Sequence, residues 1–463
     1  MKPKNFPNTT EIQRINTLGE FEKLADNNQE PVLPLNDIIT KQFKTNTALY
    51  ISHALPAKIT EFYSDLVHGD PERLQITTAN EGVQDRIDEI TQDNDVIERI
   101  GDWADDQSTF GYFVLYGYED ADQKYRIAQA YQDQYFPQPD GSVVFATYEK
   151  DQRQTDKDLN DRDTVCYIQR YTLTNSGVEI KRGVYETIDG QKLKDNRLPD
   201  EQYLTPYFGT EAQENLAGLT ELPIAQCDNT KPTRAGFGRS DYAPILPQLG
   251  EINESRTQVK VDLLKNTNAI LERARAETSV GDDGVQEQLD TIVLGDNQTP
   301  RAKYVTNDNP LLRNNEEHIK SQIEMLSVVT GVPLYELTGG NMPERVESLR
   351  IKLFSAIRKT NRKRAKIQSA LKKMYRVGLA MKGQSVESFD FAVKFSDVLP
   401  VDELVTAQTE QTKLDSGMTS RVSAIRRVQG VSQEEAEAEL EIIRTEERQD
   451  GRDVINSDNP PTL

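Results

Sequence analysis

Apolar residues recur along the chain with two periods, near 3.6 and near 2, and the points where the period changes divide it into segments. Over 36–67, Ile39, Phe43, Leu49, Ile51, Leu55, Ile59, Phe62 and Leu66 keep mostly helical steps, with Pro56 interrupting, which predicts two helices. A further helical run follows from Gln84 to Trp103, through Ile87, Ile90, Val96, Ile97 and Ile100. The period then shortens. Phe110 to Tyr118, Tyr125 to Tyr131, Val143 to Tyr148, Thr164 to Thr172 and Val178 to Tyr185 read as strands, and Thr174-Asn-Ser-Gly177 is a hairpin signal. This half of the chain is predicted as α+β with an antiparallel sheet.

At Gly236-Phe-Gly-Arg-Ser-Asp241 the period becomes helical again, with Ser240 or Asp241 as N-cap and Pro244 and Pro247 in the opening turns. Leu249, Ile252, Arg256, Val259, Leu263, Asn266 and Ile270 then form a narrow seam that suits a long helix packed against other helices. Residues 273–309 form a polar insert around Gly281-Asp282-Asp283-Gly284, with strands at Thr291–Leu294 and Ala302–Thr306. A helix returns over 314–330 with Ile319, Ile323, Leu326 and Val329 on one face, and Gly331 ends it. Residues 332–343 cannot continue a helix, because Pro333, Gly339-Gly340 and Pro343 break it. The longest predicted helix runs from Glu344 to about Met381. A strand over Phe389–Phe395 and a helical region over 399–447, with the capping signature Ser432-Gln-Glu-Glu435, complete the pattern. The first ~35 residues, with four prolines among polar residues, are expected to form a loose arm, and residues 448–463 a disordered tail.

The chain has 463 residues, 36% apolar and 28% charged, with a net charge of −21. That length suits roughly three domains. The charge argues against a surface that clings to nucleic acid throughout, since phosphate binding needs clustered cations. No apolar run approaches ~18 residues and no signal segment opens the chain, so the sequence is expected to stay in the compartment where it is made. Cys166 and Cys227 are too few for a disulfide framework and are expected to fill core.

Catalytic signatures are missing: the sequence holds no G-x-S-x-G, H-E-x-x-H or Gly-Lys-Ser/Thr phosphate loop. His53, His68 and His318 are read as packing or surface residues, and the acids at Asp102, Asp105 and Asp106 or Glu434, Glu435 and Glu437 as solvated helix faces. No metal, cofactor or catalytic residue is expected. One local feature reverses the overall sign. On the long helix, Arg358, Lys359, Arg362, Lys363, Arg364 and Lys366 meet almost no acid, either as a face pairing with acidic neighbours or as a basic belt toward DNA.

Several phrases carry a resemblance. Gly238-Arg-Ser-Asp-Tyr-Ala-Pro-Ile-Leu-Pro-Gln-Leu249 with Asn253, Ser327-Val-Val-Thr-Gly-Val-Pro333, Ser348-Leu-Arg-Ile-Lys-Leu-Phe354 and Phe395-Ser-Asp-Val-Leu-Pro-Val-Asp-Glu403 occur in the order found in portal proteins of tailed bacteriophages. The chain resembles that family over most of residues 36–445, although it has Arg345-Val346 where many relatives carry Ser-Gly. The resemblance implies an N-terminal arm (1–35), an α+β wing (36–238), a first stem helix (239–272), a clip (273–309) and a second stem helix (310–331). A tunnel loop (332–345), a long wing helix with return strand (346–398), a helical crown (399–447) and a tail (448–463) would follow.

By the same resemblance, Leu334-Tyr335-Glu336-Leu337-Thr338-Gly339-Gly340-Asn341-Met342-Pro343-Glu344-Arg345 would line the DNA channel. Gly281, Asp282, Asp283, Gly284, Asp296, Asn297 and Arg301 would face clip partners. The implied assembly is a non-enzymatic ring of about twelve subunits at the capsid vertex, formed in the host cytoplasm. Double-stranded DNA would pass through it without sequence specificity. Its partners would be the terminase large subunit, a head–tail adaptor, and the major capsid and scaffolding proteins, with no membrane. Two other readings stay open: a different multi-helical assembly scaffold or adaptor, and a metal-dependent nuclease or hydrolase using dispersed carboxylates.

Overall fold

The computed structural model describes residues 6–36, 50–70, 74–78, 81–151, 153–154, 158–188, 192–204, 211–229, 236–267, 270–272, 303–305, 310–334, 351, 353–384, 391–396, 403–429 and 433–457. It divides into two units. One comprises Met1–Met342 with Leu353–Val398, and the other Pro343–Lys352 with Leu399–Leu463.

The first unit opens with a helix, α1 (Thr9–Ala25), in place of the expected loose arm. The reason is a reciprocal capping box: Asn8 Oδ1 accepts from Glu11 N, and Glu11 Oε2 accepts from Asn8 N. Leu18, Phe21 and Leu24 bury one face. The prolines that suggested disorder lie outside this helix. Pro56 likewise starts rather than breaks a helix, standing in the first turn of α2 (Leu55–His68). The helical segment expected upstream of it falls largely outside the described residues.

The run at 84–103 is two helices, α3 (Glu81–Asp93) and α4 (Val96–Thr109). They break at Asn94, whose side chain bonds Ile90 O, Tyr125 O and Ile127 N. The predicted strands are present as β2 (Tyr112–Glu119), β3 (Tyr125–Ala130), β5 (Val143–Lys150), β6 (Thr164–Thr174) and β7 (Gly177–Ile188). Thr174 pairs with Gly177, so the Asn-Ser hairpin stands where its sequence placed it. The sequence pattern missed β1 (Gln75–Thr78), β4 (Tyr135–Pro137), β8 (Lys192–Arg197), β9 (Gln213–Ala217), β10 (Ile224–Asp228) and the strand Ile270–Glu272, where the first stem helix was expected to run on through Ile270. These are short and too polar or too brief to show alternation. The larger antiparallel sheet is ordered β4-β5-β6-β7-β8, with β9 also on β7, and the smaller is β10-β2-β3.

A helix of four residues, α5 (Asp200–Tyr203), precedes two long ones, α6 (Leu246–Thr267) and α7 (Pro310–Thr330). Between them β11 (Ile270–Glu272) pairs antiparallel with β12 (Lys303–Val305), so α7 returns along α6. The rest of the insert, including Gly281, Asp282, Asp283, Gly284, Asp296, Asn297 and Arg301, lies outside the described residues. The helix pair is joined by Leu249, Ile252, Val259, Ile319, Ile323 and Leu326, all buried. Val329, expected on that face, is 51% exposed. One further turn carries it past the seam.

Helix α8 (Phe354–Met381) starts at the core of this pair, where Ala356 is buried, and continues into that of the smaller sheet. Its buried residues Ile367, Leu371, Met374 and Tyr375 join Trp103, Phe113 and Leu115 in the largest core, and β13 (Phe391–Lys394) closes on β1. Lys373 Nζ donates to Ile224 O, so the helix covers the outer edge of β10 with a cation. Cys166 and Cys227 are buried free thiols. Burial raises both, that of Cys166 to about 12, which fits core filling.

The second unit contains α9 (Glu403–Asp415), α10 (Arg421–Gln429) and α11 (Gln433–Ser457). Glu410 is nearly buried there and pairs with Lys413 at 2.6 Å and Arg427 at 3.0 Å. The tail expected to be disordered is helical to Ser457 as the continuation of α11. Ser432 of the capping signature is outside the described residues.

Candidate functional site: a buried polar joint

The segment Gly238-Arg-Ser-Asp241 was expected to cap a helix. Instead it forms a joint before α6 begins. Gly238 and Gly111 cross so closely that a Cβ on Gly238 would stand 2.1 Å from Gly111 O, and one on Gly111 2.5 Å from Ser240 N. Only glycine fits either position. That crossing brings the next three residues against the end of α4: Asp241 N donates to Ser108 O at 2.9 Å, and Ser240 Oγ to Thr109 O at 2.5 Å.

Asp241 is the centre of the joint. Its carboxylate is almost fully buried and accepts from Ser108 Oγ at 2.5 Å and Asn229 Nδ2 at 2.6 Å. Lys359 Nζ lies 2.9 Å from Oδ1 and Lys363 Nζ 3.1 Å from Oδ2. Burial alone would raise this carboxyl; Lys363, Lys359 and the Ser108 hydroxyl reverse that and hold it at about 2. Lys363 is wholly buried, and burial pulls its ammonium down to about 8 against the attraction of Asp241. A lone buried charge here would cost several kcal/mol, so the ions are tolerable only together.

The joint reaches every surrounding helix. Tyr63 of α2 lies under both lysines, 4.2 Å and 5.2 Å from its ring centroid to Nζ of Lys359 and Lys363. Its hydroxyl donates to Thr330 O at the end of α7. Tyr242 shares its hydroxyl with Thr60. Beyond Thr330, Gly331 takes φ +78°, and a Cβ there would meet Ser355 Oγ at 3.2 Å and Ala356 N and Tyr63 Oη at 3.3 Å. The end of α7, the start of α8 and Tyr63 therefore converge on one glycine. Leu334 and Ala356 are both fully buried in the core shared with α6 and α7. Both flanks of the segment between them are thus fixed on one support.

On its far side α6 is strapped by polar groups. Asn253 donates to Gln29 Oε1 at 2.7 Å and Tyr50 Oη at 3.0 Å, and Thr257 accepts from Ile51 N. Asn253 was singled out in the sequence, but its partners, over 200 positions away, were not visible there.

For part of the basic run on the long helix this geometry favours pairing with an acid over a belt toward DNA. Lys359 and Lys363 serve Asp241. Arg364 closes the C-terminus of α2, donating to Leu66 O at 2.7 Å, Val67 O at 3.1 Å and Ser396 O at 2.7 Å. These three cations point inward and cannot form a belt. Their excess over acids in the local sequence reflects a distant carboxylate and free carbonyls. Arg358 and Arg362 are exposed, Arg358 lying over the Phe354 ring, and Lys366 borders a polar cavity with Lys373 and Arg376. Of the expected loop, Leu334 is described and buried. Tyr335, Glu336, Leu337, Thr338, Gly339, Gly340, Asn341, Met342, Pro343, Glu344 and Arg345 lie outside the described residues.

Other polar residues singled out in the sequence find partners within the fold. His68 Nε2 meets Ile97 O, and His318 Nε2 meets Glu251 Oε1 at 3.3 Å. Asp106 is less solvated than its sequence suggested, accepting from Gln129 and Gln132. No described cluster of His, Cys, Asp or Glu could hold a metal ion. No described helix is long and apolar enough to cross a membrane.

The chain is thus a mixed α+β protein whose paired long helices are seated on a buried polar joint. Residues 8–453 match the family model described as "Phage portal protein, SPP1 Gp6-like", and the chain belongs to that family of bacteriophage capsid proteins. No curated protein sequence matches it. Among solved structures it is similar to chains from "Neck of empty GTA particle computed with C6 symmetry" (12% identity, 87% of this chain, 95% of that one, TM-score 0.46). It is also similar to chains from "Virion of native gene transfer agent (GTA) particle" (10%, 87%, 95%, 0.43) and "Neck of native GTA particle computed with C12 symmetry" (10%, 86%, 94%, 0.44).

Proposed function

We propose that the chain is the subunit of a closed ring of about twelve copies at one capsid vertex. The axis of this ring carries DNA in during packaging and out during ejection. Membership of the portal family over 8–453 carries this reading. In it, 36–238 is the wing, 239–272 and 310–331 the stem, 273–309 the clip that docks the terminase large subunit and the adaptor, and 399–447 the crown. Major capsid and scaffolding proteins surround the ring, which assembles in the host cytoplasm.

Two features support the assembly. Met325, Val328 and Val329 of α7 are 53%, 81% and 51% exposed and share one side of the helix, an apolar stripe that a single chain leaves in water. In a head-to-tail ring that stripe packs on a neighbouring copy. Leu334, near the start of the proposed tunnel loop (332–345), is buried in the core of the helix pair, which anchors that end of it. Twelve copies at −21 each bring about −252, a field that discourages DNA from sticking, screened within about 8 Å at physiological salt.

Negative-stain images of the purified chain test the ring. Annular particles with an axial hole are expected, and compact particles without a hole favour a scaffold or adaptor instead.

A further inference from the structure

A cavity of about 450 Å³ opens between α1, the strand region at 136–139 and the segment before α6. Its walls are aromatic: Phe21, Phe110, Tyr112, Phe136 and Phe237. Its only other notable feature is charge. Arg14 projects from α1 between the Phe237 and Phe136 rings, with its guanidinium carbon 4.6 Å and 5.1 Å from their centroids. All its hydrogen-bond acceptors are neutral: Tyr112 Oη at 2.5 Å, Gln132 O at 2.7 Å and Tyr135 O at 2.9 Å. Among the described residues no carboxylate hydrogen-bonds it; the nearby Asp133, whose carboxyl burial raises and Arg14 helps to hold down, lies outside the cavity lining. The one acid on the lining, Glu11, is occupied by the capping box with Asn8. A second guanidinium, Arg239, stands exposed at the rim.

An apolar cavity with two cations and no free acid is unusual in a chain of −21, where acids are plentiful enough to have supplied a partner. Aromatic walls favour a ring or branched side chain, and the two guanidinium groups on the lining favour a carboxylate beside it. The volume falls within the roughly 300–1,000 Å³ of pockets that enclose such groups. We propose that this cavity docks an acidic polypeptide segment, one that places a bulky apolar side chain next to an Asp or Glu. The apolar group enters between Phe21 and Phe237, and the carboxylate meets Arg14 and Arg239. This inference stands on the cavity alone and does not depend on ring formation.

The full chain is titrated with the labelled tetrapeptide acetyl-Gly-Asp-Phe-Gly-amide, its Asn and Ala counterparts at the second and third positions, and free N-acetylphenylalanine, with fluorescence anisotropy and competition as readouts. One saturable site per chain is expected, with the Asn and Ala peptides each about tenfold weaker or more. Arg239→Gln, at the exposed rim, should weaken the acidic peptide about fivefold or more and leave the Asn peptide unchanged. Thr17→Trp, from the exposed side of α1, should fill the cavity and abolish binding with the melting temperature retained. Arg14→Met is informative only if α1 stays folded, and the other two variants do not need it. Equal binding of the Asp and Asn peptides, no saturable binding, binding that survives both Arg239→Gln and Thr17→Trp, or binding of N-acetylphenylalanine without the peptide overturns the proposal.

Discussion

Tyr63 donates its hydroxyl hydrogen to the carbonyl of Thr330, joining the middle of α2 to the last residue of α7 across 267 positions of sequence. The same ring lies beneath Lys359 and Lys363. One side chain therefore ties the end of a proposed stem helix to the charge centre at Asp241. Tyr63→Phe removes the bond and leaves the ring. We expect a loss of about 1–2 kcal/mol, felt locally. Amide exchange at Val332 and Leu334 should speed up about tenfold while that of the sheets is unaffected. Uniform acceleration across the unit would show that Tyr63 acts only on global stability.

Asp241→Asn leaves Lys363 buried without its carboxylate. A cost of about 3–5 kcal/mol follows for breaking a buried pair by removing one partner. Asp241→Asn combined with Lys363→Met should recover part of it, because the orphaned ammonium is gone. Chemical denaturation of both single variants and the double checks this, and a double variant as unstable as the sum of its parts contradicts the pairing.

The pH dependence follows from the same pair. The Asp241 carboxyl is held near 2 against an ordinary 3.8, so its contribution is present above about pH 4 and fades as pH falls through 2. The stability gap between wild type and Asp241→Asn should therefore be flat from pH 5 to 7 and narrow below pH 4. Lys363 works in the opposite sense. Its folded value near 8 lies below the ordinary 10.5, so below pH 8 the buried ammonium opposes folding, and that opposition is relieved between pH 8 and 10.5. Wild type should gain on Lys363→Met across that interval, as measured by thermal unfolding at each pH.

Gly331→Ala tests the convergence at the end of α7. The position has φ +78°, and the added Cβ would crowd Ser355, Ala356 and Tyr63. About 1–2 kcal/mol of destabilisation is expected, from the left-handed backbone and the contact together. A neutral result in denaturation would mean that α7 and α8 separate there at no cost.

Much of the fold was legible because it is local. The Thr174–Gly177 hairpin and the α7 terminus at Gly331 follow from turn chemistry and period. What sequence could not show was partnership. The cations at 359, 363 and 364 left two readings open, an acid-pairing face or a basic belt, because their acceptors, Asp241, Leu66, Val67 and Ser396, are distant in sequence. Asp241 looked like an N-cap because a capping residue and a buried ion-pair centre both present an acid before a helix. The capping box at Asn8 and Glu11, by contrast, was readable and outweighed by nearby prolines.

In the proposed assembly this subunit closes into a ring through surfaces that include the exposed stripe of α7. Native mass spectrometry of the purified chain tests it most directly. Twelve copies of the 52.5 kDa chain weigh about 630 kDa, and a particle at or near that mass is expected for wild type. Val328→Glu, at a residue 81% exposed, should leave the circular dichroism of the subunit intact while shifting the mass toward 52.5 kDa. A wild-type chain that is folded and stays at 52.5 kDa across micromolar concentrations and salt conditions would contradict the account.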